Sequence, residues 1–414
     1  MAQAIKAPRG TYDVLPDEAR AREPLERVGR RILEGAGYRR IETPAFEHTE
    51  LFARGVGAST DIVQKEMYSF DEDALTLRPE GTAPICRAYL EHGMQKLPQP
   101  VKLWYLSAFF RHERPQAGRF RQFWQLGAEV IGADDPAVDA ELILLLATIL
   151  LELEVAGTRL RLASLGTPET RAAYREELQA HLCAHADRLS AEVRDRIDLN
   201  PLRAFDADDP GTREVMRTAP RLLDRLSGED AEHFAEVRAL LDEAGVPYEL
   251  DPTLVRGLDY YTRTVFEFTS DALGAQSGVG GGGRYDGLVA QLGGPATPGC
   301  GWAAGIERIR LAAGAQPVAA PPVDLYVAVA EAGARGPAFA LATEARRARL
   351  QAQLELAGRS VKGQLKQADR LGARYVALVA DGGATQLKDM EAGTQEELPA
   401  REVVSHVLRE RGVR

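Results

Sequence analysis

The sequence predicts an α+β protein built from two or three domains. At 414 residues the chain is too long for one ordinary hydrophobic core. Two stretches of mixed strand and helix character, residues 1–165 and 246–315, flank a charged and largely helical segment at residues 166–245. After a linker rich in proline and alanine, residues 323–414 alternate strand and helix. We therefore expect a discontinuous first domain, a helical insertion and a small C-terminal α/β domain.

The first domain contains a predicted β-hairpin between residues 101 and 132. The segments VKLWYLSAFFRHE and RQFWQLGAEVIG are rich in aromatic and β-branched residues, and a polar stretch with Gly and Pro separates them. That stretch, RHERPQAGRFR, holds four arginines in an otherwise acidic chain. Arg is the preferred donor to phosphate because its planar fork makes two parallel hydrogen bonds. The hairpin tip is therefore a candidate phosphate or RNA site, and a solvated basic turn is the alternative.

The returning strand of this hairpin has one polar and one apolar face. Side chains alternate along a strand, so Phe123, Gln125 and Glu129 share a face. The residues between them are Trp124, Leu126, Ala128 and Val130, and they form the apolar face. A carboxylate and an amide on one face predict the wall of a polar pocket. A solvated sheet face is the alternative.

The helical segments have recognisable boundaries. Thr167 is a predicted N-cap, Pro168 takes the first helical position, and Glu169 places an acid near the helix N-terminus. The apolar run at residues 142–151 is shorter than the ~20 residues that a membrane span requires, so it predicts a core helix. The N-terminus has no apolar signal region. We expect a cytoplasmic protein without a membrane partner.

A glycine-rich stretch matches the dinucleotide fingerprint literally, as Gly278-x-Gly280-x-x-Gly283. That fingerprint also needs a helix that opens on the glycines and an acid ~20 residues on, and the sequence has no acid at that distance. A nicotinamide cofactor is therefore disfavoured, and the glycines predict close approach of the backbone to a ligand or to another strand. Small residues in GCGWAAGIERIR leave room for a flat ligand beside Arg308, or for tight helix–sheet packing.

Charge and cysteine content narrow the function classes. The formal net charge is -10, so any contact with nucleic acid must use local basic patches. The three cysteines form no C-x-x-C pair, which argues against a zinc site or a disulfide framework.

Taken together, blocks of the sequence resemble the histidyl-tRNA synthetase family from Pro8 to the last predicted helix. IETPAFEHTELFARGVG resembles class II motif 1, TLRPEGTA the amino-acid loop, and FRHERPQAGRFRQFWQLGAEVIG motif 2. RGLDYYTRTVFEF and GGGRYDGL resemble the two histidine-specific segments, and GWAAGIERI resembles motif 3. The order of the blocks is that of the family. Trp124 departs from the family's usual histidine, but it lies on the apolar strand face.

The resemblance implies a fold and an activity. The fold is a class II catalytic domain, in which helices flank an antiparallel sheet, with a helical insertion and a C-terminal α/β anticodon-binding domain. The activity is ATP-dependent formation of histidyl-adenylate and transfer of histidine to the 3′ end of histidine tRNA. Mg²⁺ accompanies ATP, its ligands are unassigned, and no editing domain is expected. The family forms homodimers, with Pro44 of motif 1 at the interface.

The resemblance also assigns roles residue by residue. The residues expected to stabilise charge at the α-phosphate are Arg111 and Arg256. Those expected to bind ATP are Arg111, Glu113, Phe123 and Arg308, with Phe123 and Arg308 on either side of adenine. Those expected to bind histidine are Glu80, Gly81, Thr82, Gln125, Glu129, Tyr260, Tyr261 and Tyr285. Arg114 and Gln116 are expected to read the tRNA acceptor end, and Arg359, Lys362 and Lys366 are candidate RNA contacts in the C-terminal domain.

One rival function shares the same fold. Bacteria carry a paralogue of this family that regulates ATP phosphoribosyltransferase and typically lacks the anticodon domain and key catalytic residues. The segments RGLDYY and GIER, the basic motif 2 loop and a C-terminal domain are all in this sequence. These features favour the synthetase over the regulator.

Overall fold

A computed structural model describes residues 4–57, 60, 62–70, 74–254, 257–274, 277–314, 320–410 and 412. The chain divides into two compact units, Met1–Pro317 and Val318–Arg414. In the described residues no helix is both long enough and apolar enough to cross a membrane.

The strands are described first, numbered in chain order. They are β1 (Arg39–Arg40), β2 (Phe46–His48), β3 (Tyr68–Phe70), β4 (Leu75–Leu77), β5 (Val101–Phe110), β6 (Gln122–Ile131), β7 (Thr158–Ser164), β8 (Glu249–Leu250), β9 (Thr262–Ser270), β10 (Gly278–Arg284), β11 (Gly299–Gly305), β12 (Leu325–Val329), β13 (Ala352–Leu354), β14 (Tyr375–Val379), β15 (Ala384–Asp389) and β16 (Gln395–Pro399).

The α-helices follow the same numbering. They are α1 (Pro16–Gly35), α2 (Thr49–Phe52), α3 (Thr82–Glu91), α4 (Pro136–Glu152), α5 (Pro168–Ala184), α6 (Ala191–Arg194), α7 (Pro210–Arg217), α8 (Gly228–Glu243), α9 (Leu288–Gln291), α10 (Ile306–Ala313), α11 (Arg335–Arg347), α12 (Val361–Arg370) and α13 (Ala400–Glu410).

The first unit is organised around a sheet that we call the central sheet. Within the described ranges it has eight strands in the order β1-β5-β6-β11-β10-β9-β7-β8. The inner pairs are antiparallel, whereas β1 pairs with β5 and β8 with β7 in parallel. A separate small sheet has the order β2-β4-β3. The predicted α+β class, with helices flanking an antiparallel sheet, is confirmed.

The long hairpin forms as its sequence predicts. Strands β5 and β6 pair in register from Val101↔Ile131 to Phe110↔Gln122. The apolar face of β6 packs into one core with α1, α4, α8 and α10, and Leu126 and Ala128 are fully buried there. The opposite face packs with α3 and with three tyrosines next to the strands, Tyr260 and Tyr261 before β9 and Tyr285 after β10. The run at residues 142–151 lies in α4, and half of its residues are buried, so α4 is a core helix.

Two local details complete the first unit. A two-residue strand, Arg39–Arg40, follows the first helix and pairs with Leu103 and Trp104 of β5. Thr167 caps α5 by accepting a hydrogen bond from the backbone nitrogen of Thr170, with Pro168 in the first turn. Helices α5 to α8 lie between β7 and β8 in the chain, and we call residues 166–245 the helical segment.

The glycine-rich stretch is a strand of the central sheet. Strand β10 pairs antiparallel with β9 and with β11, so it does not open a parallel βαβ unit. A Cβ added at Gly282 would lie 1.9 Å from the carbonyl oxygen of Gly301 on β11. The close approach predicted from the glycines is therefore to neighbouring strands, and the dinucleotide fingerprint has no structural counterpart here.

The second unit is a small α/β domain. Its described sheet has the order β13-β12-β14-β15-β16, with parallel pairs on either side of β12 and antiparallel pairs beyond β14. Helices α11 and α13 pack on one face of this sheet, where Leu325, Val327 and Val403 are fully buried. Helix α12 packs on the other face through Ala368.

Candidate active site

The candidate site lies on the face of β6 that carries Phe123, Gln125 and Glu129. Strand β11 pairs with β6 on one side and β5 on the other, which places Gly301 and Leu103 opposite Glu129. The start of α3, the residues before β9 and the residue after β10 contribute further side chains to this face. We call Glu80, Thr82, Glu129, Tyr260 and Tyr285 the buried polar cluster, because each of these residues is less than 9 % exposed.

Glu129 is the centre of the buried polar cluster. Its side chain is 0 % exposed, so it does not lie on a solvated sheet face. Thr82 Oγ1 donates to Glu129 Oε1 at 2.8 Å, and Tyr285 donates its hydroxyl to Oε2 at 2.7 Å. Burial raises the pKa of Glu129 to about 8, although the two hydrogen bonds oppose that shift. The carboxyl group is therefore oriented by its neighbours and can exchange a proton near neutral pH.

Glu80 is held at the N-terminus of α3. Its carboxylate accepts hydrogen bonds from the backbone nitrogens of Thr82 at 2.8 Å and Ala83 at 3.0 Å. The hydroxyl of Tyr260 lies 3.4 Å from Glu80 Oε2. Burial raises the pKa of Glu80, and the backbone donors act against that effect. The cluster thus holds two buried carboxyl groups joined through Thr82.

Three glycines make room for the cluster. A Cβ at Gly301 would lie 1.7 Å from Glu129 Oε2, so only glycine fits opposite this carboxyl group. Cβ atoms at Gly81 and Gly127 would lie 2.7 Å and 2.2 Å from Cζ of Tyr105. The ring of Tyr105 fills this space, and its buried hydroxyl has no hydrogen-bond partner among the residues that the structure describes.

An open cleft adjoins the cluster and has a volume of about 630 Å³. We call it the arginine-lined cleft. Arg111, Glu113, Phe123, Gln125 and Arg308 line it, so the chain brings all four residues predicted to bind ATP to one place. The side-chain oxygen of Gln125 is buried and has no partner in the described part of the chain.

Arg111 connects the cleft to the cluster. Its guanidinium lies 5.4 Å from the centre of the Phe123 ring. Its Nε donates to the backbone oxygen of Pro79 at 2.9 Å, one residue before Glu80. Glu113 lies between Arg111, at 3.9 Å, and Arg119, at 3.2 Å. The wall of the cleft therefore has a net positive charge. The backbone next to Glu80 fixes the position of Arg111 in this wall.

Arg308 lies at the start of α10, after the small residues of β11. Burial lowers its pKa, with Arg119 as a second cause. A Cβ added at Gly118 or Gly305 would lie 3.6 Å or 3.5 Å from its aliphatic side chain. Arg308 is therefore half-buried in the cleft wall and is not an ordinary surface arginine.

Glu307 is a structural residue of this site that the sequence analysis did not single out. It accepts hydrogen bonds from the backbone nitrogen of Trp124 at 3.1 Å and from the hydroxyl of Tyr12 at 2.7 Å. Arg22 forms an ion pair with it at 3.2 Å. Glu307 thus fixes β6 next to Phe123. Its position inside the GIER block was the only signal available in the sequence.

Other residues predicted for the site do not line the cleft or lie outside the described ranges. Arg114 and Gln116 are exposed at the hairpin tip and do not line the cleft. Tyr261 is buried next to Tyr260, with ring centres 4.7 Å apart. Arg256 lies outside the described residues, so its place in the site is not given. The described residues contain no group of three or more potential metal ligands.

The fold and these residues define the class of the protein. An antiparallel sheet with flanking helices, carrying an arginine on its motif 2 hairpin, is the architecture of class II aminoacyl-tRNA synthetases. A model described as histidyl-tRNA synthetase matches residues 10–309. The chain belongs to the histidyl-tRNA synthetase family.

Individual relatives match this chain over nearly its full length. A histidine–tRNA ligase of Halorhodospira halophila is 48% identical over 415 residues, which covers 98% of this chain and 98% of the relative. A histidine–tRNA ligase of Desulforamulus reducens is 46% identical and covers 96% of this chain and 97% of its own length. The apo crystal structure of S. aureus histidyl-tRNA synthetase is 34% identical with a TM-score of 0.80, covering 98% of this chain and 100% of that one.

Proposed function

We propose that this protein is a histidine–tRNA ligase. It activates L-histidine with ATP to form histidyl-adenylate and pyrophosphate, then transfers histidine to the 3′ end of histidine tRNA and releases AMP. The observation that carries the proposal is a fully buried carboxyl group, Glu129, oriented by two hydroxyls beside a cleft lined by arginines. A buried carboxyl oxygen of this kind can accept a hydrogen bond from an imidazole N–H. The arginines of the cleft can bind the phosphates of a nucleoside triphosphate.

We assign histidine to the buried polar cluster and the residues around it. Glu129 and Tyr261 hydrogen-bond the imidazole, and Tyr285 closes the pocket. Glu80, with Gly81 and Thr82, binds the α-ammonium group, to which a buried carboxylate offers a charged acceptor. Gln125 and Tyr260 complete the wall. A site that leaves its polar groups unpaired with an apolar amino acid rejects that amino acid by a factor of about 10⁴–10⁵, so no editing site is required.

ATP is the second substrate, and we assign it to the arginine-lined cleft. Phe123 and Arg308 contact the two faces of adenine, Arg111 binds the α-phosphate, and Arg256 is the second arginine assigned to it. The carboxylate of histidine attacks the α-phosphorus in line and pyrophosphate leaves. The nucleophile is already an anion, so this step needs no general base. Arg111 and Arg256 stabilise the charge that develops on the phosphoryl oxygens, and positioning contributes up to about 7–11 kcal/mol.

Mg²⁺ enters as part of the nucleotide substrate in this proposal. A Mg²⁺ ion bound to ATP keeps several waters and needs only one or two carboxylates from the protein. Glu113 and Glu267 both face the cleft and are the candidate ligands. Their carboxylate oxygens are the donor type that this ion prefers.

The tRNA contacts extend beyond the cleft. Arg114 and Gln116, exposed at the hairpin tip, are assigned to the acceptor end. Residues 1–165 and 246–315 form the catalytic domain, residues 166–245 the insertion domain, and residues 323–414 the anticodon-binding domain. In the last of these, Lys362 and Lys366 lie on α12 as candidate RNA contacts. Arg359 is the third candidate, but it is already paired with Glu355 at 3.2 Å.

We propose a cytoplasmic homodimer that uses the motif 1 surface. Phe46 on β2 is 54 % exposed and Phe70 on β3 is 50 % exposed, although both lie on the small sheet next to Pro44. Large aromatic side chains exposed together favour an interface. A second copy of the chain would cover them.

The test is ATP–pyrophosphate exchange with the purified protein and each of the twenty amino acids in turn. Exchange with histidine alone, followed by charging of histidine tRNA, is the expected result. Arg256→Ala should abolish the exchange while leaving the thermal unfolding transition in place. No exchange with any amino acid would refute the synthetase function and favour the regulatory paralogue.

A further inference from the structure

The helical segment contacts the loop at residues 257–261, which carries Tyr260 and Tyr261. Arg171 lies on the first turn of α5 and is half-buried. Its Nη1 donates to the backbone oxygen of Tyr261 at 2.8 Å, and its Nη2 lies 3.5 Å from the backbone oxygen of Asp259. One side chain of the helical segment therefore reaches two carbonyl groups on either side of Tyr260. Hydrogen bonds from a charged donor are among the stronger polar contacts in proteins.

The same loop is held from its other side by residues 56–57, in the helical turn that follows α2. The backbone nitrogen of Asp259 donates to the carbonyl oxygen of Val56 at 3.1 Å. A Cβ at Gly57 would lie 2.7 Å from Asp259 Oδ2, so the two segments are in close contact. The loop at residues 257–261 is thus fixed between residues 56–57 and Arg171, with Tyr260 and Tyr261 buried between these two attachments.

A second contact joins the helical segment to the residues that follow this loop. Arg263 has φ of 44°, and the pairing of β9 with β10 shifts register there, which is a β-bulge. Its Nε lies 3.2 Å from Asp230 in the first turn of α8. Asp230 also accepts from the backbone nitrogen of Thr167 at 2.7 Å. The start of β9, which directly follows the tyrosines in the chain, is therefore attached to α8 and to the N-cap residue of α5.

Apolar packing between the helical segment and the loop is incomplete. A cavity of about 240 Å³ lies beside this contact and is lined by Arg171, Leu258 and Asp259, among other residues. A gap of this size removes contact atoms from one side of the loop. On the side that faces the helical segment, the polar contacts made by Arg171 therefore replace part of the close packing.

We propose that Arg171 is a positioning residue for histidine: it sets the loop at residues 257–261 and thereby the affinity of the site for the amino acid. The inference rests on the proposed function, since it concerns the same site. The helical segment then contributes to recognition of the amino acid through this arginine, without touching it. ATP binds in the adjoining cleft, so its affinity should depend on Arg171 far less.

The test compares Arg171→Ala, Arg171→Lys and Arg175→Ala in pyrophosphate exchange and in calorimetric titration with histidine. Arg175 is the matched control because it lies one turn further along α5 and donates to the carbonyls of Asp198 and Leu199, within the helical segment. We expect Arg171→Ala to raise KM and Kd for histidine about tenfold and KM for ATP less than twofold. Arg171→Lys should recover part of the loss, and Arg175→Ala should leave both constants unchanged.

The outcomes separate the two hypotheses. If the unmodified protein exchanges with histidine but Arg171→Ala binds histidine normally, the positioning role is refuted and the proposed function stands. Equal losses for histidine and ATP, or equal losses in Arg171→Ala and Arg175→Ala, would also refute it, because a general structural defect predicts them. If the unmodified protein shows no exchange, the proposed function itself fails. Thermal unfolding of each variant identifies any that does not fold.

Discussion

The buried polar cluster and the arginine-lined cleft differ in how completely they are assembled before substrate arrives. In the cluster, Glu80, Thr82 and Glu129 are already hydrogen-bonded to one another's backbone or side chains. In the cleft, Arg111 and Glu113 are 3.9 Å apart, and Arg308 is partly withdrawn from solvent. The buried polar cluster is therefore a complete hydrogen-bond network, whereas the arginine-lined cleft presents charged side chains to a ligand.

The difference follows from what each region has to recognise. Selecting one amino acid requires donors and acceptors in fixed positions, and a low dielectric makes each unpaired group costly. Binding a triphosphate requires positive charge and space, and the charge acts mainly as the reaction proceeds. We therefore expect changes in the cleft to affect turnover, and changes in the cluster to affect histidine affinity and stability.

The largest effect is expected from Arg111→Lys. Lysine retains the charge but loses the planar fork, and with it the Nε contact to the Pro79 oxygen. Removing a comparable stabilising donor lowers kcat by about 10²–10³, so we expect a loss of that size in pyrophosphate exchange. The Kd for histidine, measured by calorimetric titration, should change less than threefold.

The control for this variant is Arg159→Lys. Arg159 is an exposed arginine paired with Asp271 at 2.8 Å, and an exposed pair of this kind contributes little to stability. Its exchange rate should stay within twofold of the unmodified protein. If Arg111→Lys instead weakened histidine binding and turnover equally, the division between cluster and cleft would not hold.

Much of this arrangement was accessible from the sequence. The hairpin, its two faces and the cap of α5 follow from strand alternation and from the preferences of Thr and Pro at a helix start, and all three are confirmed. The grouping of Arg111, Glu113, Phe123 and Arg308 in one cleft was expected from the family resemblance and is observed. These predictions rest on local residue preferences and on the order of the sequence motifs.

Other features depend on contacts between distant parts of the chain. Nothing near Arg171 indicates that it reaches the carbonyl of Tyr261, ninety positions further on. Likewise, Glu307 bonds to Tyr12 across 295 positions. The glycine run left ligand and strand as alternatives, because the sequence does not show which strands are neighbours. The tertiary topology determines such contacts, and a local sequence pattern does not predict that topology.

A smaller effect, confined to the cluster, is expected from Gly301→Ala. The added Cβ would overlap Glu129 Oε2, so the carboxyl group or strand β11 must move. Overpacking of this kind costs about 1–3 kcal/mol, and we expect a lower free energy of unfolding together with weaker histidine binding. The exchange rate at saturating histidine, and KM for ATP, should change little.

Gly35→Ala is the matched control for that substitution. Gly35 ends α1, and a Cβ there meets no atom within 4 Å. Alanine in a helix is favoured over glycine by about 0.5–1 kcal/mol, so this variant should be as stable as the unmodified protein or slightly more stable. Normal histidine affinity in Gly301→Ala would show that the cluster tolerates displacement of Glu129.

The smallest effect is the contribution of Glu129 to the pH dependence of stability. Burial raises its pKa in the folded protein to about 8, above that of an exposed carboxyl group. The folded state therefore binds a proton that the unfolded state has released, and the stability present at low pH is lost as pH rises towards 8. Glu80 has its pKa raised by the same cause and contributes with the same sign.

Glu129→Gln isolates this contribution because glutamine keeps the shape and does not titrate. Urea unfolding at several pH values should show a free energy that falls by about 1 kcal/mol per pH unit between about pH 6 and 7.5 in the unmodified protein. The slope should be smaller in Glu129→Gln, and Glu80 contributes to the slope that remains. Identical slopes in the two proteins would mean that Glu129 is ionised throughout this range. The cluster would then hold a buried anion, and its hydrogen bonds from Thr82 and Tyr285 would outweigh desolvation.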